Sequence, residues 1–228
     1  WPANHPVRAG EGPFGEATPP WVREQPPAPV RSPAALSPST LGGAKALPGE
    51  GARDEDEAMR RGTWLHRLLE HLPSWPEEHW PELSATLLSE GPEAANPAET
   101  ETILAEARRV LSAPDMTAIL GPGALTEVEI TAPVPALGGR VLHGTIDRLV
   151  VSDGRALAVD YKSNAVVPER PEDVPDGLLR QMGAYAAMLE QVYPGRRIEI
   201  AILWTQTGRL MPLPPEIVRE ALATTTIP

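Results

Sequence analysis

The alternation of hydrophobic and polar positions between residues 140 and 162 predicts two strands joined by a tight turn. Arg140 to Val151 is rich in β-branched and aliphatic residues, and Ala156 to Lys162 opens with the apolar run Ala-Leu-Ala-Val. Asp153-Gly154 supplies the positive φ that a two-residue hairpin turn requires. An apolar run of this kind is typical of a strand buried on both faces of a sheet. The expected faces of the first strand are Thr145, Asp147 and Leu149 on one side and Ile146, Arg148 and Val150 on the other.

Helical and strand-like patterns continue on both sides of this hairpin. Helices are predicted at Ala52 to Leu72, Trp75 to Glu90, Ala98 to Leu111, Asp115 to Leu120 and Gly177 to Val192, with a last one starting at Pro215. Strands are predicted at Leu125 to Val134, Arg196 to Trp204 and Arg209 to Leu213. We expect Asn96 and Asp176 to cap the helices that follow them. We expect Trp64, Trp75 and Trp80 to lie in the core.

Two carboxylates and one ammonium are expected on one face of the hairpin. Asp160 and Lys162 are two positions apart, so both side chains leave the same face of the sheet. A turn at Asp153-Gly154 places Asp147 roughly opposite Asp160. Two nearby carboxylates favour a hard divalent cation such as Mg²⁺, which stabilises charge on a phosphate and helps to deprotonate an attacking water. A neighbouring ammonium can orient that water or stabilise the transition state.

The same three residues are about equally consistent with a surface salt bridge, which contributes little to stability. The lysine itself favours chemistry. The chain has eighteen arginines and two lysines, Lys45 and Lys162. A lysine at the end of a buried strand indicates a need for a compact ammonium that the planar guanidinium of arginine cannot replace.

Four motifs follow one another in an order that resembles the PD-(D/E)XK nucleases of the RecB type. They are Gly62 to His66 in RGTWLHRLLEH, Gly144 to Asp147 in HGTIDR, Asp160 to Lys162 in VDYKSN and Gln181 to Tyr185 in RQMGAY. With the LSPS at residues 36–39, they look most like the C-terminal nuclease domain of the AddA subunit of bacterial helicase–nucleases, which process double-strand DNA breaks. The resemblance covers roughly residue 36 to the C-terminus.

The resemblance implies an α/β fold with a restriction-endonuclease-like core, in which helices flank a mixed central sheet. It implies a DNA exonuclease that depends on Mg²⁺ or Mn²⁺ and acts in recombinational repair. The site residues it implies are Asp147, Asp160 and Lys162 as catalytic groups, His66, Asp147, Asp160 and the backbone carbonyl of Tyr161 as metal ligands, and Gln181 and Tyr185 as DNA contacts. The implied partners are DNA single strands or duplex ends, a helicase part of the same polypeptide and an AddB-like sister subunit.

Composition separates a proline-rich segment from the remainder of the chain. Residues 1–50 hold eleven of the 28 prolines and four acidic against four basic side chains. We therefore predict an arm or linker at 1–50 and the nuclease domain at 51–228. The chain has no cysteine and no apolar run near the ~18 residues of a membrane span, so we expect no disulfides, no membrane segment and a cytoplasmic location. Because it starts at Trp1, we expect a fragment of a longer polypeptide.

Charge and missing motifs limit the functions that the chain can have. The net charge of −11 argues against autonomous DNA binding, because phosphate contacts need basic side chains. The sequence has no GxxxxGK[ST] phosphate loop, which excludes an ATPase motor here, and it has no nucleophile elbow or zinc-ligand spacing.

Two alternatives stay open beside the helicase-linked nuclease. One is a catalytically silent module that binds a DNA end or a sister subunit and regulates the helicase, although such modules typically lose an acidic or lysine position that is present here. The other is a stand-alone RecB-type nuclease. Glu127 and Glu129 share one face of a predicted strand, and we expect that face on the outer surface of the sheet. Glu129 beside the metal site is the alternative.

Overall fold

Most of the helices precede the sheet, which lies in the second half of the chain. The computed structural model describes residues 34–47, 55–91, 93–121 and 123–226. The elements are α1 (Glu55–His71), α2 (Trp80–Leu88), α3 (Pro97–Leu111), α4 (Thr117–Leu120), β1 (Ala124–Val134), β2 (Arg140–Ser152), β3 (Arg155–Lys162), α5 (Asp176–Val192), β4 (Arg197–Trp204), β5 (Arg209–Leu213) and α6 (Pro215–Ala223). Within these ranges, no helix is both long and apolar enough to cross a bilayer.

The predicted arm at residues 1–50 falls mostly outside the described residues. Of that segment the structure describes 34–47 only. The division of the chain at residue 50 stays a prediction.

The five strands form one mixed sheet in the order β1-β2-β3-β4-β5, which confirms the predicted α/β class. β3 and β4 run parallel, and α5 provides the crossover that two parallel strands require. The other neighbouring strands are antiparallel. β2 and β3 form the predicted hairpin, which turns at Asp153-Gly154 with Gly154 at φ 78°. The hairpin therefore lies at the centre of the sheet and delivers the ends of β2 and β3 to one place.

A hydrophobic core covers each face of the sheet. The first core packs α5 and α6 against the sheet, and the second packs α1, α2 and α3 against the other face. Within β3, Ala158 belongs to the first core, whereas Leu157, Val159 and Tyr161 belong to the second. Burying a large apolar side chain contributes about 1.5–3 kcal/mol. Two-sided burial therefore fixes β3 firmly enough to hold charged groups at its end.

The structure confirms one of the two predicted helix caps and contradicts the other. The side chain of Asn96 accepts from the backbone N–H groups of Ala98 and Glu99 at 3.0 Å, and the Glu99 carboxylate accepts from the Asn96 N–H at 2.8 Å. This capping box confirms the predicted start of α3. The predicted cap at Asp176 is wrong. Asp176 is the first residue of α5, and its carboxylate lies 2.5 Å from Arg180 one turn along the helix.

The segment around Trp75 departs from the prediction of a helix from Trp75 to Glu90. Trp75 has φ −127° and ψ 148°, the extended conformation that a following proline favours, and a 3₁₀ helix at Glu77–His79 precedes α2. Trp75 is 53% exposed, so its predicted core position is wrong. Trp64 is buried in the second core and Trp80 packs against that core half-buried.

Residues 34–47 pack along β2 and α5. Leu36 bridges to Leu142 in the part of β2 that extends beyond its pairing with β3. Pro38 lies against Gly144, where a Cβ atom would come within 2.9 Å of Pro38 Cδ. Leu41 is buried in the first core. The LSPS motif therefore covers the part of β2 that has no partner in β3. An uncovered strand edge could pair with another chain.

Candidate active site

Asp147 and Asp160 lie together where the β2–β3 ladder ends. The last pair of the ladder is Arg148 with Val159, so the next position along each strand is an aspartate. The backbone N–H of Tyr161 donates to Asp147 Oδ2 at 2.5 Å. This bond holds Asp147 against the end of β3, and the Asp147 side chain is 11% exposed. The geometry agrees with the register that the Asp153-Gly154 turn predicts.

Asp160 and Lys162 form an ion pair at the carboxyl end of β3. Lys162 Nζ lies 2.5 Å from Asp160 Oδ2, and Gln181 Nε2 donates to Asp160 Oδ1 at 2.9 Å. Asp160 is 3% exposed. The pair is thus buried, and the alternative of a solvent-screened surface salt bridge does not apply.

Burial and charge shift the pKa values of this pair in the same direction. Burial raises the pKa of Asp160, the Lys162 ammonium opposes that rise, and the Asp147 carboxylate adds to it. Burial lowers the pKa of Lys162, but the neighbouring Asp160 outweighs burial and holds that pKa above its ordinary value. Lys162 is therefore charged at neutral pH, which suits a donor or a cation better than a general base.

His66 projects from α1 towards Asp147. His66 Nδ1 lies 3.3 Å from Asp147 Oδ1, and the imidazole meets the Tyr161 ring edge-on with centroids 5.5 Å apart. Burial lowers the pKa of His66, but its contact with Asp147 and the charges of Asp147 and Asp160 outweigh burial and raise the pKa above its ordinary value. The helix thus brings an imidazole to the same carboxylate that the hairpin positions.

Glu127 is a group that the sequence interpretation did not place in the site. It has φ 47°, the left-handed region, and among the described residues it alone combines a positive φ with a side chain. Burial raises the pKa of Glu127, and the carboxylates of Asp147 and Glu70 raise it further. The sequence suggested Glu129 as the glutamate that could lie beside the metal site. The group of side chains that could bind a metal ion contains Glu127 and does not contain Glu129.

The backbone around Glu127 also explains why the predicted faces of β2 are wrong in part. The β1–β2 register passes from Thr126–Arg148 to Val128–Ile146 without a pair between Glu127 and Asp147. Ile146 and Leu149, three positions apart, both pack in the first core. Side chains three apart in a regular strand point to opposite faces, so the alternation changes phase at Asp147.

Arg148 supports the site from the face of the sheet that α1 covers. It is 4% exposed, its Nε donates to the Tyr161 hydroxyl at 3.1 Å, and its Nη2 donates to the carbonyl of Leu69 in α1 at 3.0 Å. One guanidinium therefore connects α1, β2 and β3, the three elements that carry His66, Asp147 and Asp160. Nothing in the sequence marks this role beyond an arginine in an apolar strand.

Gln181 and Tyr185 lie one turn apart on α5 and are both buried. Gln181 is bonded to Asp160, and the Tyr185 hydroxyl donates to the Thr145 carbonyl at 2.6 Å. Burial raises the pKa of Tyr185 well above its ordinary value, with the charge of Asp160 adding to the effect. Both side chains therefore form the wall of the site, and the predicted contacts of Gln181 and Tyr185 with DNA stay predictions.

The donor set suits a hard divalent cation. His66, Glu127 and Asp147 each offer one ligand atom, and these atoms lie within 4.8 Å of one another. Carboxylate oxygens are the ligands that Mg²⁺ and Mn²⁺ prefer, and the imidazole is a ligand typical of transition metals. His66 and Glu127 also line a cleft of about 400 Å³ that is open to solvent. Asp160 is outside this group, and its oxygens contact Lys162 and Gln181. Metal ligation by Asp160 and by the Tyr161 carbonyl stays a prediction.

Comparisons with known proteins give one extended match and one short one. The family model of the PD-(D/E)XK nuclease superfamily matches residues 43–225. A CRISPR-associated exonuclease Cas4/endonuclease Cas1 fusion of Myxococcus xanthus is 32% identical over 89 residues, which are 38% of this chain and 15% of that protein. The chain thus spans a small part of this relative.

One solved structure, described as "Crystal structure of SSO0001", covers 76% of this chain and 88% of its own. Its sequence identity is 12% and its TM-score 0.31, which is too weak to bear on function. None of these three matches distinguishes the RecB or AddA type within the superfamily.

Proposed function

Because the chain belongs to the PD-(D/E)XK nuclease superfamily, we propose that it hydrolyses DNA phosphodiester bonds with Mg²⁺ or Mn²⁺ at the cluster of Asp147, Asp160 and Lys162. The observation that carries this proposal is the buried Asp160–Lys162 pair at the end of β3, with Asp147 at the neighbouring strand position. A buried charge cluster on a rigid strand gives a fixed field at the place where a phosphate is attacked.

The metal ion would first be held by His66, Asp147 and Glu127. Their donor atoms already lie together, and Asp147 is fixed by the Tyr161 N–H. Asp160 and the Tyr161 carbonyl would complete the site once Asp160 turns one oxygen away from Lys162. The ion supplies Lewis acidity towards a phosphate oxygen and lowers the pKa of water.

Lys162 acts in this proposal as a charged donor. The charge of Asp160 outweighs burial and holds the pKa of Lys162 high, so its ammonium carries a proton throughout the neutral range. Its side chain is 21% exposed, which leaves part of it accessible to solvent. It would orient the attacking water and stabilise negative charge that develops on the phosphate. Gln181, which donates to Asp160 Oδ1 at 2.9 Å, would keep that carboxylate beside Lys162.

The finer proposal is an exonuclease that acts on single strands or duplex ends as the nuclease part of a helicase–nuclease that processes double-strand breaks. The Cas4 relative carries the word exonuclease in its description. The order of the four motifs and the LSPS segment supports the helicase-linked type, with an AddB-like sister subunit. The net charge of −11 also favours a protein whose DNA is delivered by a neighbouring motor.

Cleavage of labelled DNA in different metals tests the proposal. The full chain is incubated with linear and circular single strands in Mg²⁺, Mn²⁺, Ca²⁺ or EDTA. We expect cleavage of the linear strand in Mg²⁺ and Mn²⁺ and none in EDTA. Ca²⁺ should compete with Mn²⁺ for binding without supporting cleavage, because it prefers longer bonds and more ligands.

Equal rates in Ca²⁺, or cleavage that EDTA leaves unchanged, would contradict the metal-dependent mechanism. Equal loss of the circular strand would contradict the exonuclease while leaving the nuclease in place.

A further inference from the structure

A buried carboxylate on α3, which the proposed cleavage chemistry does not use, is connected to the catalytic lysine. Glu106 is 5% exposed. Arg61 Nη2 on α1 lies 2.5 Å from Glu106 Oε2, and the Thr205 hydroxyl donates to Glu106 Oε1 at 3.2 Å. Both oxygens of this carboxylate therefore have a partner from another part of the chain.

Thr205 continues this chain of contacts to the backbone of Lys162. It follows β4 directly, is fully buried, and its N–H donates to the Lys162 carbonyl at 3.0 Å. Its hydroxyl also lies 3.4 Å from that carbonyl. A hydroxyl has one proton to donate, and a charged acceptor attracts it more strongly than a neutral carbonyl. Glu106 therefore fixes the rotamer of Thr205, and Thr205 fixes the end of β3.

Arg61 extends the same network to the helix that carries His66. The two residues are five positions apart on α1, which is about 7.5 Å along the helix axis. A single chain of contacts thus links the helix of His66 to the strand of Lys162 through Arg61, Glu106 and Thr205.

Stability alone gives a poor reason for this arrangement. Glu106 lies on α3 beside Ile103 and Ala107 of the second core, where apolar side chains pack well. Replacing a buried ion pair by apolar residues of similar volume is often neutral or stabilising. The charged side chain of Glu106 is better explained by a network that fixes the position of other groups.

We propose that Arg61, Glu106 and Thr205 are positioning residues that set the location of Lys162 relative to the metal-holding groups. This inference rests on the proposed nuclease function, because it assigns the network to the same reaction. The three side chains do not touch the phosphate. They act through the backbone of Lys162, so their loss should slow the chemical step and leave the binding of metal and DNA unchanged.

Variants of Thr205 in the full chain test the proposal. Thr205→Val removes the hydroxyl and keeps the shape, Thr205→Ser keeps the hydroxyl, and Thr207→Val is the matched control. Thr207 lies in the same turn, and within the described part of the chain its hydroxyl bonds only to the Trp204 carbonyl, at 3.3 Å. Cleavage of a single-stranded oligonucleotide in Mn²⁺ gives kcat and KM, calorimetry gives the affinity for Mn²⁺, and thermal melts show that each variant is folded at the assay temperature.

We expect Thr205→Val to lower kcat by about ten- to a hundredfold, since a displacement near 1 Å can cost about a hundredfold. KM and the affinity for Mn²⁺ should stay within about twofold, and Thr205→Ser should restore kcat. Should Thr205→Val fail to fold, Glu106→Gln, which keeps the size of the side chain and weakens both contacts, should show the same loss of kcat.

The inference is overturned if kcat of Thr205→Val equals that of the wild type, if Thr205→Ser is as slow as Thr205→Val, or if KM or Mn²⁺ affinity changes instead. An inactive wild-type chain would mean that the proposed function itself has failed. The same assay therefore separates the two failures.

Discussion

Lys162 stands beside a buried carboxylate, so its removal should have two separate effects. We predict that Lys162→Ala lowers DNA cleavage by at least about a hundredfold, because a charged donor to the phosphate is lost. We also predict a loss of stability of about 3 kcal/mol in the metal-free protein, because Asp160 keeps its burial and loses its cation. Added Mn²⁺ should recover most of the melting temperature.

Lys45→Ala is the control for this prediction. Lys45 is the other lysine of the chain, and its exposed side chain donates to the Ser39 carbonyl. Cleavage and melting temperature should both stay close to wild type. Cleavage retained by Lys162→Ala would remove Lys162 from the mechanism.

His66 should make the stability of the metal-free protein fall as pH rises through neutrality. Contact with Asp147 outweighs burial and raises the pKa of His66 in the folded state. A raised histidine pKa stabilises the fold fully below the unfolded value and loses that effect as pH rises through the folded pKa. We expect the wild-type melting temperature in EDTA to decrease from about pH 6 to about pH 8 and that of His66→Gln to decrease less.

The matched control for the pH series is His143→Gln. His143 is exposed on β2, and its Nδ1 lies 2.8 Å from the Thr131 hydroxyl of β1. Its pH dependence should follow the wild type. If His66→Gln and the wild type showed the same slope, the ion pair between His66 and Asp147 would not exist in solution.

Two helical glycines allow a test at the scale of elements. A Cβ on Gly183 would lie 2.3 Å from the Val218 carbonyl, so α5 and α6 require a glycine there. A Cβ on Gly62 would meet, among the described residues, only the Ser163 hydroxyl, at 3.4 Å. Alanine is favoured over glycine inside a helix by about 1 kcal/mol. We predict that Gly183→Ala lowers stability by about 1–3 kcal/mol and that Gly62→Ala keeps or raises it.

Denaturant unfolding of both variants measures these changes. The two substitutions are identical in chemistry and in helix context, so the difference between them isolates the helix–helix contact. Equal stabilities of Gly183→Ala and Gly62→Ala would show that α5 and α6 do not approach each other as described.

At the scale of elements, the sequence predicts what local chemistry determines. The central hairpin follows from an Asp-Gly turn between apolar strands, and α3 follows from Asn96, Pro97 and Glu99. Glu127 could not be placed this way, because its left-handed φ depends on how β1 meets Asp147. The network through Glu106 also joins elements that are far apart in sequence, and no local pattern encodes it.

For the molecule as a whole, charge predicts weak binding to duplex DNA. The net charge is −11. Among the described residues, seven arginines pair with carboxylates, namely Arg61, Arg108, Arg155, Arg170, Arg180, Arg197 and Arg219. We expect the isolated chain to bind duplex DNA weakly in Ca²⁺, with a salt slope far shallower than that of a protein with about six to ten phosphate contacts.

Fluorescence anisotropy over a range of salt concentrations measures this slope. Single-stranded DNA in the same buffer is the comparison, and cleavage should favour it. Tight duplex binding with a steep slope would mean that the chain has a basic DNA-binding surface of its own and needs no motor to deliver the substrate.

The most direct test of the central claim is Mn²⁺-dependent cleavage by Asp147→Asn beside Asp153→Asn. Both variants replace one aspartate of the same hairpin by its amide. Asp147 contacts His66 and Tyr161 in the site, whereas Asp153 is exposed at the turn. We predict that Asp153→Asn cuts a labelled single strand at the wild-type rate and that Asp147→Asn loses at least about a hundredfold. Equal cleavage by Asp147→Asn and the wild type would contradict the account.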